Sequence, residues 1–360
     1  MQNLPKLSVV VATYARAETL RETLRHLAEQ ELARDEYEVI VVDDGSSDHT
    51  GLVVEEAIAE GRLQLRYLRH ENQGPGFTQN QGIRAARAPL VLLMADDVFM
   101  TPTALSAHLA RHAAHPEPEV AVLGNLVQSP RLDQTAFLRN WDPFRFCSLP
   151  DGRELPASFF WAANISFKRE FMLRHGMFRD ERGRGGAAAH EDVELGYRLH
   201  RHGLRIVHDK AALAHHHHIE TLEDTIQRAH ERGLNWQGFR DLVPEAEIPL
   251  RYRVLNSDTI MDHIRAITGP QRTQLMGPER SLVAMSIIYL GRAALFNRLT
   301  VPHLWLPLMQ QAERSPRIER WMRTSFYRGV VSYHFTRAIS MAKQLYAEGG
   351  RPRQARVPPS

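Results

Sequence analysis

The chain has 360 residues, 43% hydrophobic and 24% charged, with a mean hydropathy of −0.37, which excludes a mainly disordered, collagen-like or polytopic membrane protein. Its single cysteine, Cys147, excludes an internal disulfide and any multi-cysteine zinc or iron–sulfur centre. The net charge of +3 is unevenly spread: Gln311 to Arg356 holds ten Lys or Arg against three Asp or Glu, or +7, and the residues before it sum to −4. This is not a nucleic-acid-binding composition. The basic end suits a solvated helix face or an anionic surface such as a membrane. Met1 to Lys6 lacks the layout of a secretory leader, so the expected location is cytoplasmic, peripheral at the inner membrane face if the basic end docks there.

In chain order, Leu7 to Ala12 is a short apolar run rich in β-branched residues, the pattern of a buried parallel strand. Leu20, Leu24 and Leu27 recur at helical spacing within Ala15 to Gln30. Tyr37 to Asp43 is a second strand ending in Asp43-Asp44-Gly45-Ser46, and Leu63, Leu65 and Tyr67 alternate in a third. A helix from Gly76 to Arg87 leads to Leu90 to Met94, a strand that stops at Ala95-Asp96-Asp97. Strands and helices alternating at this spacing predict βαβ units and a mainly parallel sheet. Beyond an irregular middle with a small-residue loop at Arg182 to Ala189, a helix is expected over Glu191 to His202 and a strand over Leu204 to His208. From Glu220 the periodicity is helical, and Ser281 to Phe296, though the most apolar stretch, is too short to span a bilayer.

In parallel sheets ligands gather outside the carboxyl ends of the strands. Thr13-Tyr14, Asp43-Asp44 and Asp96-Asp97 stand at three such ends. Two acids abutting a buried strand need a cation, and as hard oxygen ligands they suit Mg²⁺ or Mn²⁺ bridging a diphosphate; a helix cap would use one acid but hardly both. A carboxylate at Asp44 can accept from a ribose hydroxyl or a base N–H, and Tyr14 offers a flat face for a nucleobase. Glu191, Asp192 and Glu194 place three acids in one helical turn, more than capping needs, so one carboxylate can act as general base. In the run His215 to His218, alternate imidazoles would share a face if it is a strand. There is no P-loop, and Gly74-Pro75-Gly76-Phe77-Thr78-Gln79 lacks the third glycine of a dinucleotide fingerprint, which makes a dehydrogenase a weak rival.

Taken together, Ser8 to Tyr14, Val41 to Asp48, Asn72-Gln73-Gly74, Ala95-Asp96-Asp97, Trp161 to Ser166, Glu191 to Glu194 and the histidine run make the chain resemble, over Leu7 to His218, the family 2 glycosyltransferases of the GT-A fold. The resemblance implies an α/β fold: a Rossmann-like, mainly parallel sheet flanked by helices, forming a catalytic domain over 1–219, followed by a helical region over 220–350 and a flexible tail over 351–360. It implies an inverting transfer of sugar from a nucleotide-diphosphate donor to an acceptor hydroxyl, with a divalent metal, Mn²⁺ or Mg²⁺. Carried over by position, Ala12, Thr13, Tyr14 and Asp44 would hold the nucleotide, with Gly74, Asp96 and Asn164 beside the donor. Asp97 and His215 would bind metal, and Asp192, with Glu191 next to it, would be the catalytic base. Three positions depart from the family pattern: Ala95 stands for the first acid of its Asp-x-Asp motif, Gln79 precedes Asn80 where an arginine is usual, and His190 replaces a glycine. A sugar nucleotidyltransferase is the runner-up, and Ala95 and Gln79 leave room for an inactive sugar-nucleotide-binding protein.

Overall fold

The computed structural model describes residues 4–141, 146–179, 190–246 and 291–347. The loop expected at 182–189, most of the apolar stretch 281–296 and the tail 351–360 lie outside the described residues.

The first half follows strand by strand. β1 (Leu7–Thr13), α1 (Ala17–Ala28), β2 (Tyr37–Asp43), α2 (Thr50–Glu60), β3 (Leu65–Arg69), α3 (Pro75–Ala85) and β4 (Leu90–Ala95) alternate along the chain. β1 to β4 are parallel, with β1 between β2 and β4. β1 and β2 are covered on both faces, which is why they read as unbroken apolar runs. The edge strand β3 is only half buried and tolerates arginines. Helix α1 turns Leu20, Leu24 and Leu27 inward, one stripe of a 3.6-residue repeat.

The order in the second half is less regular. After β5 (Val98–Met100), α4 (Ala104–Ala114) and β6 (Val120–Gln128), the short α5 (Ala136–Asn140) and β7 (Glu154–Leu155) precede β8 (Asn164–Lys168) and α6 (Arg169–His175). Then come α7 (Glu191–His200) and β9 (Arg205–His216). The sheet runs β3-β2-β1-β4-β8-β6-β9-β5, with β7 on β9. β8 is antiparallel to β4, so its first residues lie beside the carboxyl end of β4. The strand expected over Leu204 to His208 continues to His216, carrying two of the four histidines into the sheet beside β5 and β6.

The remaining described helices include α8 (Leu222–Leu234), α9 (Trp236–Leu242) and the 24-residue helix Thr324–Ala347. Trp236, Phe239, Tyr327 and Phe335 form a second apolar core with Phe137, Trp141 and Tyr197 from the first 219 residues. The two cores therefore do not divide at one point in the chain.

Candidate active site

The acid pair after β4 is buried, and the fold supplies its partners from three directions. Thr13 at the end of β1 donates Oγ1 to Asp96 Oδ2 at 2.7 Å. Arg16, at the start of α1, donates one Nη1 to Asp96 Oδ1 at 2.9 Å and to Asp97 Oδ2 at 2.7 Å. Just past β9, the backbone amide of His217 donates to the Asp97 carbonyl at 2.7 Å. His216 Nε2 and His218 Nδ1 each stand 3.5 Å from the Asp97 carboxylate. Burial and the neighbouring Asp97 charge push Asp96 up, against Arg16 and Thr13. Burial would push Asp97 up as well, but His218, His216 and Arg16 outweigh it and hold Asp97 below the usual carboxylate range. The site thus keeps one strongly ionised acid.

A metal can be tested against this arrangement. Asp97 Oδ1 is buried and accepts no hydrogen bond, and burial pushes His216 down toward the neutral, ligating form. Yet among the described residues no three His, Cys, Asp or Glu side chains form a metal-holding group. The donors fit an ion held by Asp97 and imidazole only if substrate oxygens complete its shell. The expected ligand His215 needs correction. Side chains alternate along β9, so His216 meets Asp97 while His215 pairs across from Phe99 and feels Arg131; His218, two residues past the strand, reaches the same carboxylate.

The turn after β2 is built to be stiff. Gly45 has φ +84°, and a Cβ there would come within 2.9 Å of the Asn72 amide nitrogen. Asp43 accepts from Ser46 and from the Tyr67 hydroxyl. Asp44 accepts from the amides of Gln73 and Gly74 at 2.6 and 2.9 Å and from the Asn72 side chain. It therefore clamps this loop onto the strand end. Gly74, at φ +91°, opens α3, with empty space where a Cβ would point. Tyr14, directly after β1, is 40% exposed, and Ala12 within the strand is partly buried.

Asp192 lies in the first turn of α7, and its Oδ2 accepts from the Ala162 amide at 3.1 Å. The next residue, Ala163, accepts through its carbonyl from the Ala95 amide at 3.4 Å, directly before Asp96. Two adjacent residues of one loop thus tie Asp192 and the Asp96–Asp97 pair to the same edge of the sheet. Burial pushes the Asp192 carboxyl up to about 7; the Ala162 amide and Arg232 oppose this, and Glu191 adds to it. Glu194 instead pairs with Arg198 and Arg179 and secures the helix. His190, the residue before this turn, stacks on Phe239 at 4.7 Å and reaches the Arg232 carbonyl at 3.0 Å.

Asn164, expected beside the donor, is a second correction. Its side chain is turned into the molecule at 1% exposure. There it bonds His108 through Oδ1, and the Asn125 and Ala212 carbonyls through Nδ2. A buried amide satisfied on both ends has no group left for a ligand; it braces the irregularity where β6 meets β9. Sequence reasoning missed Arg16, whose only signal is its place two residues beyond Tyr14 at the mouth of a helix.

Comparison with known proteins agrees with this geometry. Residues 8–175 match the model of glycosyl transferase family 2. The chain is 34% identical over 230 residues to validoxylamine A glucosyltransferase of Streptomyces hygroscopicus subsp. jinggangensis (strain 5008), covering 56% of this chain and 53% of that protein. Chondroitin synthase of Escherichia coli is 28% identical over 275 residues, 66% of this chain and 38% of that one. The chain thus spans about half, or less, of the length of these curated relatives. Among solved structures, the mannosyltransferase PcManGT from Pyrobaculum calidifontis, in complex with GDP-Man and Mn²⁺, superposes with a TM-score of 0.54 at 19% identity. That match covers 92% of this chain and 86% of that one, and it shows a shared GT-A fold.

Proposed function

We propose, from the match of residues 8–175 to glycosyl transferase family 2, that this protein is an inverting glycosyltransferase, taking sugar from a nucleotide-diphosphate donor with Asp192 as general base. The observation that carries the reading is the link from Asp192 through Ala162 and Ala163 to Ala95, which brings Asp192 and the acid pair to one sheet edge. Tyr14 stacks on the nucleobase, and the stiffened loop of Asp44 and Gly74 borders it. Asp192 takes the proton of the acceptor hydroxyl as that oxygen attacks the anomeric carbon. The bond from that carbon to the diphosphate breaks on the opposite face, its electron pair leaving with the nucleoside diphosphate. A carboxyl near 7 is well matched to this work at neutral pH. Glu191 contributes through its charge beside Asp192. Asp97, with His216 and His218, would hold a divalent ion, Mn²⁺ or Mg²⁺, which when bound supplies positive charge against the leaving diphosphate.

The 34% identity to a protein named a glucosyltransferase makes glucose nucleotides the first donors to test. Release of nucleoside diphosphate with Mn²⁺ and an acceptor supports the reading; pyrophosphate release from a nucleoside triphosphate and a sugar phosphate would replace it with nucleotidyl transfer. Residues 1–219 carry this chemistry, and the helices from 220 onward brace it. The basic end is proposed to meet an anionic surface, since Trp321 is 81% exposed between Arg320 and Arg323; equal sedimentation with neutral and anionic vesicles would remove that part. None of the described helices is long and apolar enough to cross a membrane.

A further inference from the structure

The Arg16 guanidinium supplies positive charge to the buried acid pair. One of its nitrogens bonds both Asp96 and Asp97, and the other stands 3.1 Å from His218 Nδ1. The two carboxylates are 7% exposed, too little for water to neutralise them, whereas the Arg16 side chain is 23% exposed. The coordination position left open is Asp97 Oδ1, on the side of His216. A divalent ion entering there would sit across a single carboxylate from the guanidinium. Like charges at that range in a poorly hydrated pocket repel strongly.

We propose that Arg16 is a resident counter-cation that keeps the acid pair closed to a divalent ion until a diphosphate arrives with it. The proposal rests on the sugar-transfer reading above. A diphosphate brings negative charge that offsets the repulsion, and its oxygens match the planar fork of a guanidinium, so Arg16 gains a new partner as the ion takes its old one. The lever is held from behind: the Ala15 amide donates to Ser46 Oγ at 2.8 Å, and Arg16 begins α1, so the side chain can turn while its backbone stays. By linkage, ion and nucleotide raise each other's affinity by one common factor.

Mn²⁺ binding to the full chain, read by electron paramagnetic resonance of the free ion, tests this without turnover. The wild type is expected to bind Mn²⁺ at least tenfold more tightly with UDP or GDP present than without. Arg16→Gln should bind Mn²⁺ alone at least tenfold more tightly than wild type, and nucleotide should then add little. Arg16→Lys retains the charge and should keep binding of Mn²⁺ alone weak. Equal Mn²⁺ affinity of wild type and a folded Gln variant, with no nucleotide, overturns the proposal. If the Gln variant does not fold, the proposal fails where Lys binds Mn²⁺ alone tightly or where wild type binds it equally with and without nucleotide. Failure of any nucleoside diphosphate to bind wild type would instead sink the sugar-transfer reading, and the comparison with Mn²⁺ alone would still decide the role of Arg16.

Discussion

Asp96 and Asp97 at the end of β4, and Asp192 in the first turn of α7, share one edge of the sheet but are surrounded differently. The pair has a guanidinium, a hydroxyl and two imidazoles around it. Asp192 accepts from one backbone amide, with Arg232 acting on it through charge and Glu191 opposing. Burial disfavours a carboxylate in both places, and only at Asp97 is there enough positive charge to reverse that. One environment keeps an acid ionised to hold charge, and the other leaves an acid able to take and release a proton near neutral pH.

The most forceful way to break this contrast is Asp192→Asn. It should cut turnover by about 10²–10⁴-fold with donor binding retained, checked by product release beside calorimetry with the nucleotide sugar. Wild-type-like turnover would remove Asp192 as base. The acid limb of the wild-type rate should rise as pH climbs through about 7, because the base works unprotonated; a limb centred near the ordinary aspartate value would contradict the burial argument.

Next in size is Asp97→Ala. It leaves buried positive groups undercompensated and should cost about 2–3 kcal/mol, read from the urea midpoint. Mn²⁺-dependent donor affinity should fall at least tenfold, and unchanged affinity by calorimetry would dismiss the metal role.

A smaller effect carries the opposite sign. Folding raises the Asp192 pKa from 3.8 to about 7, so the folded chain holds a proton that the unfolded chain releases within that window. Stability therefore drains away as pH rises through it. Above pH 7, Asp192→Asn should raise stability by about 1 kcal/mol, a Tm gain of about 2–4 °C; a lower Tm would show that the carboxylate is well solvated. Smallest of all, Arg25→Ala breaks exposed pairs with Glu22 and Glu29 and should shift stability by no more than about 0.5 kcal/mol. A larger loss by urea titration would mean that exposed pairs rival the buried one.

The parallel half of the sheet was legible because its information is local. Two-sided burial writes itself as Val-Val-Val and Val-Ile-Val-Val, and the ends of β2 and β4 are each marked by a pair of acids. The acids of the site were legible for the same reason. The histidine register was not. β9 pairs with β6 at Asp209 to Gly124 and resumes at Leu213 to Asn125, so extra residues loop out and the parity of the strand cannot be counted from Leu204. Asn164 was misplaced because a side chain at a strand start can face either side of the sheet, and His108, 56 residues away, decides which. Arg16 was missed because its meaning arises only when residues 80 positions distant fold against it.

The stacking of His190 on Phe239 bears on how this chain could be rebuilt. His190, the residue before α7, is gripped by α8 and α9, which lie beyond residue 219, so a fragment cut near 220 would lose the anvil under α7 while keeping its sheet. Chimeras that graft a foreign segment after residue 220 must therefore carry over an aromatic seat for that imidazole. Without it, the exchange would loosen the start of α7 and with it the Asp192 side chain.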